Sequence, residues 1–148
     1  MALAGCAHDR AVSGGETITY TTTRCYGTCP AYTITLGPDG QGIFVGQQFT
    51  AVVGERRFRA SPDQVRGFAA RLAPYRPKGE RLIEPGKPGC KLAGTDSPSV
   101  DVRWQAAVGA PSHLRFYYGC RDPQNRGMTD AFRFAPDALP IAALIGKY

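Results

Sequence analysis

Arg24-Cys25-Tyr26-Gly27-Thr28-Cys29-Pro30-Ala31-Tyr32 is the stretch on which the reading of this chain turns. It joins two threonine- and tyrosine-rich segments whose residues alternate with the period of a strand buried on one face. A glycine lies between the two cysteines and a proline follows them, which makes a stiff, tight corner instead of a flexible loop. Two strands meeting at such a corner predict an antiparallel pair.

Working outward, residues 16–24 read as a strand with Ile18 and Tyr20 on one face. Beyond the corner, Tyr32, Ile34 and Leu36 point one way, and Thr33 and Thr35 the other. Gly37-Pro38-Asp39-Gly40 is a hairpin turn, because proline presets φ and glycine accepts a positive one. Residues 42–46, 49–53 and 56–60 read as further short strands. Ser61-Pro62-Asp63-Gln64 then starts a helix, with serine as N-cap, proline at the first helical position and glutamine closing a capping box. Val65, Phe68, Ala69 and Leu72 form its apolar stripe, with Arg66 and Arg71 turned away, and Pro74 ends it.

Residues 76–98 alternate prolines and glycines, a loop whose length calls for a tie, and Cys90 offers one. Val100, Val102 and Trp104 mark another strand. Leu114, Phe116 and Tyr118 mark its hairpin partner, with His113 in the connecting loop. Residues 121–130 are polar and read as loop, and 137–145 as a short terminal helix limited by Pro140. The predicted class is α+β: an antiparallel meander sheet carrying one well-defined helix and a short C-terminal one, stapled by disulfides.

At 148 residues the chain fits one domain and is long enough to bury about two-thirds of its unfolded surface. It divides into a leader and tether over 1–15 and a single domain over 16–148. Leu3-Ala4-Gly5-Cys6 looks like the lipobox of bacterial lipoproteins, with the upstream part of the signal missing. The polar tether after it supports lipid attachment at Cys6. The expected place is the bacterial cell envelope, as an outer-membrane lipoprotein facing the periplasm, with the lipid chains holding the membrane.

The net charge of +6 is unevenly placed: ten Lys/Arg stand against four Asp/Glu between Glu55 and Lys91. Arg56, Arg57, Arg59, Arg66 and Arg71 are therefore candidate binding residues for an anionic envelope component or envelope protein. The bland alternative is a solvated surface, and nucleic acid is not expected. Tyr26, Gly27 and Thr28 at the corner are the other candidate binding residues.

With Cys25, Cys29, Cys90 and Cys120 the spacing leaves three pairings open. The corner is no Cys-x-x-Cys motif and no helix start follows it to favour a thiolate. The chain has two histidines, His8 and His113, too few for an ordinary zinc set beside oxidised cysteines. No Gly-x-Ser-x-Gly elbow, His-Glu-x-x-His or phosphate loop occurs, so no catalytic residue and no cofactor are expected.

The corner, Asp39-Gly40 and Thr95-Asp96-Ser97-Pro98 together resemble the bacterial domain-of-unknown-function family 6438, over roughly residues 16–120. The resemblance implies that Cys25 bonds Cys29, leaving Cys90 for Cys120, and it brings no activity with it. The function expected is a non-catalytic binding or scaffolding role in the envelope. The alternatives are an inhibitor that inserts the stiff Tyr26–Thr28 loop into an envelope-attacking enzyme, and a thiol–disulfide protein using Cys25 and Cys29.

Overall fold

A computed structural model describes residues 15–147. Strands β1 (Glu16–Thr22), β2 (Ala31–Leu36), β3 (Gln41–Gln48) and β4 (Gly54–Arg59) precede helix α1 (Pro62–Leu72). Strands β5 (Glu80–Ile83), β6 (Ser99–Ala106) and β7 (Ser112–Tyr117) follow, then helices α2 (Arg126–Phe134) and α3 (Ala142–Ile145). The strands form one seven-stranded sheet in the order β4-β3-β2-β1-β6-β7-β5. All neighbours are antiparallel except β5 and β7. The α+β class and both cysteine pairs, Cys25–Cys29 and Cys90–Cys120, are present.

Strand register explains the core. Tyr20 lies opposite Ile34 on one side and Val102 on the other, Ile34 lies opposite Phe44, and Val102 opposite Leu114. Every one of these side chains is buried, so one face of the sheet is apolar across five strands. Phe68 and Leu72 of α1 and Met128 and Phe132 of α2 pack into the same core. The opposite face carries Thr19, Thr21, Thr33 and Thr35 in register with Asp101 and Arg103, and among the described residues no helix covers it.

α1 begins as the sequence dictates. Gln64 N–H donates to Ser61 Oγ at 3.2 Å, and Ser61 N–H donates to Gln64 Oε1 at 2.8 Å. The hairpin turn is also as expected, with Gly40 at φ +88° donating to the Gly37 carbonyl. An ideal Cβ on Gly40 would lie 2.2 Å from the Ala60 carbonyl oxygen, so glycine is needed there twice over.

Four expectations need correction. Residues 49–53 are not a strand. The chain folds back over Gly46, where a Cβ would meet the Val52 carbonyl oxygen at 1.9 Å. Ala51 and Val52 donate to the carbonyls of Ile145 and Leu144, away from the sheet. Second, the glycine- and proline-rich segment contains β5, which pairs in parallel with β7 and lies at the sheet edge. Four residues between turn formers give too short a pattern to read.

Third, residues 121–130 are not a loop: a 3-10 turn at Pro123–Asn125 leads into α2. This segment is what ties down the long loop. Buried Asp122 accepts from the backbone N–H of Leu92 and Lys91, which holds its carboxyl below the usual carboxylate range. Asn125 Nδ2 donates to the Gly89 and Cys120 carbonyls. Fourth, the terminal helix is broken into a 3-10 turn at Ala135–Ala138 and the short α3, since Pro140 cannot continue a helix.

Candidate functional site

The corner is braced from two sides. Within it, Thr22 Oγ1 donates to the Pro30 carbonyl at 2.9 Å and accepts from Tyr32 N–H at 3.3 Å. Across the sheet, Tyr26 N–H donates to the Asp96 carbonyl, and Thr23 and Ser99 exchange two bonds. Tyr117 pins the same segment, its hydroxyl donating to Gly94 O and accepting from Ser97 N–H. Asp96 holds φ +66°, a left-handed conformation open to Asp and Asn more readily than to bulkier residues. The corner and the Thr95–Pro98 segment are therefore one structural unit, although more than sixty residues separate them in sequence.

A cavity of about 450 Å³ opens beside this unit, between the end of the sheet and the last helices. Tyr20, Thr22 and Tyr32 line it from the strands, and Cys29, Pro30 and Pro98 from the braced corner. Tyr118, Arg133 and Ile145 complete the wall. The size lies within the range of small-molecule sites. A larger volume of about 610 Å³ lies over Thr17, Thr35, Arg57 and Arg59 on the uncovered sheet face, away from the braced corner.

The hydroxyls of the three cavity tyrosines differ. Tyr20, 1% exposed, donates to the Phe132 carbonyl at 2.7 Å. Tyr32 is 6% exposed and its hydroxyl bonds no described residue, but unlike that of Tyr118 it is not among the hydroxyls buried without a partner. The Tyr118 hydroxyl is sealed from solvent and also lacks a partner; Tyr20 is near enough to ease its ionisation but not in bonding geometry. Burial raises all three pKa values, Tyr118 to about 12, so all three carry their protons at physiological pH. The Arg133 guanidinium lies 5.5 Å above the Tyr118 ring, a cation–π contact, and makes no ion pair among the described residues.

On the uncovered face, His113 lies in β7 and not in a loop. Its Nδ1 is 3.0 Å from Glu80 Oε2 and its Nε2 2.6 Å from Asp101 Oδ2. Arg103 and Arg115 approach Asp101 from either side. Both ring nitrogens are thus within hydrogen-bond distance of a carboxylate of the chain itself. No group of three or more His, Cys, Asp or Glu among the described residues is placed to hold a metal ion.

The basic candidates are spread over two sides. Arg57 and Arg59 line the larger depression on the uncovered face, whereas Arg56 lies opposite Phe44 on the helix-covered side. Arg66 pairs with Asp63, and Arg71 donates to the Phe134 carbonyl. At the corner, Tyr26 is 87% exposed, and Gly27 and Thr28 are exposed beside it. Cys6 lies outside the described residues. The cavity was missed in the sequence, although core-facing Tyr20 and Tyr32 gave a signal, since a buried tyrosine brings a hydroxyl that needs a partner.

The fold and site define a one-sided, seven-stranded α+β domain with two disulfides and a tyrosine-lined cavity at its braced corner. The chain belongs to the family described as Domain of unknown function (DUF6438), whose model matches residues 16–135. That match runs from the first residue of β1 through α2 and so includes every strand. Neither a curated protein nor a solved structure matches the chain.

Proposed function

We propose that this chain is the folded domain of a bacterial envelope lipoprotein, with a non-catalytic binding role exercised through the tyrosine-lined cavity. The observation that carries the reading is the cavity of about 450 Å³ beside the braced corner, with the Tyr32 hydroxyl on its wall bonded to no described residue. A hydroxyl that the described residues leave unbonded can donate its proton to a ligand in the cavity. Both ring nitrogens of His113 are engaged by carboxylates of the chain itself, which supports a binding reading over catalysis there. The envelope assignment is supported by Leu3-Ala4-Gly5-Cys6 shortly before β1 and by two disulfides, which persist in oxidising compartments.

Native mass spectrometry of the protein isolated from its own cells tests this reading. The wild type is expected to carry, or to take up from envelope extract, a small-molecule adduct. Ile145→Trp, which fills the cavity from α3, is expected to lose it. An adduct retained in Ile145→Trp, or none in either protein, overturns the cavity as the binding site.

The inhibitor reading has its own support in Tyr26, 87% exposed at the tip of a disulfide-braced corner. Rigid, preorganised loops bind with little ordering cost. Its test is Tyr26→Ala in an assay of envelope-degrading enzymes, where an unchanged inhibition profile removes the loop from consideration.

A further inference from the structure

We infer that the cavity takes a small organic anion: a flat apolar body seated among the tyrosine, proline and isoleucine side chains, with its negative group at the exposed Arg133 guanidinium on the rim. The inference rests on the reading of this cavity as the binding site. It adds the class of ligand, which neither cavity size nor family membership supplies.

The wall's free polar groups set the sign of the charge. Thr22 is already committed to Pro30 and Tyr32 through its hydroxyl, and Tyr20 to Phe132. The Tyr118 hydroxyl is sealed away. Among the described side chains of the wall there remain the Tyr32 hydroxyl, which burial keeps protonated, and Arg133, exposed at the rim and carrying only donors. Two donors, one of them cationic, want an acceptor, and an anion is the strongest. Three tyrosines around one space would otherwise suit a cation, but Arg133 already lies over the Tyr118 ring and fills that role from within the chain. Asp137 is the carboxylate whose field reaches Tyr20 and Tyr32; it is exposed and lines a different depression.

The apolar part of the ligand follows from the rest of the wall. Pro30 and Pro98 are rigid and carry no side-chain polar atom, and Ile145 closes the space from α3. The disulfide places Cys29 sulfur chemistry on the same side, which is apolar as well. A sugar or other polyol would leave most of its hydroxyls unpaired here, so a planar or short-chain hydrophobic body is what fits.

The test uses two fluorescent probes of nearly the same shape, one charged and one neutral. One is 1-anilinonaphthalene-8-sulfonate, an aromatic anion, and the other is its neutral counterpart N-phenyl-1-naphthylamine. Each is titrated into the wild type, Arg133→Gln, Tyr32→Phe and Ile145→Trp. Expected is one site that prefers the anion. Arg133→Gln should weaken the sulfonate about tenfold and Tyr32→Phe severalfold, as loss of charge-assisted hydrogen bonds implies, while the neutral probe is unchanged. Ile145→Trp should weaken both.

If the two probes bind alike and Arg133→Gln affects neither, the anion class is wrong and the cavity is simply apolar. If a phenyltrimethylammonium ion displaces the neutral probe better than the sulfonate does, the sign is wrong. If Ile145→Trp leaves both probes bound as before, they bind elsewhere, and the cavity reading itself fails. Circular dichroism of each variant confirms that the sheet is intact, so a loss of binding is not a loss of fold.

Discussion

Tyr20 in β1 donates its hydroxyl proton to the carbonyl of Phe132 in α2 at 2.7 Å, across 112 residues. Phe132 is in the last turn of α2, where carbonyls have no partner further along the helix. The bond therefore caps the helix and fastens it to the centre of the sheet. Tyr20→Phe keeps the ring and leaves a buried carbonyl without its donor, so a loss of about 1–3 kcal/mol in urea unfolding is expected. Tyr118→Phe removes a hydroxyl that has no partner to lose, and stability should hold within about 0.5 kcal/mol or rise. Equal losses in the two variants would show that Tyr118 is bonded after all.

The buried tyrosines also set an alkaline limit. Burial raises the pKa of Tyr20, Tyr32 and Tyr118 in the folded protein, while an unfolded tyrosine ionises near pH 10. Below pH 10 both states hold their protons and stability is full. Above it the unfolded chain loses protons that the folded one keeps, so stability falls as pH rises towards the folded values. At pH 11 the expected loss is about 1.4 kcal/mol per buried tyrosine, or about 4 kcal/mol together. Urea midpoints at pH 9 and pH 11, with Cys6 blocked against thiol exchange, measure it. Tyr32→Phe should flatten the slope, and an unchanged slope would contradict the assignment.

What the sequence reveals here is what alternation and capping encode locally. Ile18 and Tyr20, Tyr32 to Leu36, and Val100 to Trp104 declare their buried face by period, and all of them are core. Ser61 and Gln64 declare the start of α1, and both capping bonds form. β5 was illegible because its partner β7 lies some thirty residues away and the pairing is parallel, which leaves no hairpin turn to read. α2 was illegible because no side chain caps its start; Asn125 is spent on Gly89 and Cys120 instead. The cavity depends on bringing Pro98, Tyr118 and Arg133 to the corner, a tertiary fact with no local signal.

The envelope assignment makes a separate prediction at Cys6. In the proposed envelope location, lipid carried by Cys6 would hold the protein at the membrane; among the described residues no helix is long and apolar enough to cross one. Expressed in a bacterium behind a complete lipoprotein signal that keeps Leu3-Ala4-Gly5-Cys6, the protein should sediment with membranes. Cys6→Ser should release it, because stable anchoring needs acyl chains that serine at this position cannot receive by thioether. Sedimentation unchanged by Cys6→Ser would remove lipid from the account.

The two disulfides should differ in what their loss costs. Cys25 and Cys29 close a ring of sequence separation 4, and Cys90 and Cys120 one of separation 30. By loop-closure entropy the small ring contributes about 2 kcal/mol and the large one about 3.7 kcal/mol. The native contacts point the same way. The corner keeps Tyr26 to Asp96, Thr23 to Ser99 and Thr22 to Pro30 when its sulfurs are removed. The larger ring encloses β6 and β7, and its closure places Cys120 where Asn125 and Ala93 meet it. Replacing Cys90 and Cys120 together by serine should therefore lower the unfolding free energy more than replacing Cys25 and Cys29. The second pair of changes should leave the sheet intact and alter the cavity wall at Cys29 and Pro30, so that probe binding falls further than stability does. A larger stability loss at the corner than at the long ring would mean that the corner, and not the Cys90–Cys120 staple, holds the sheet together.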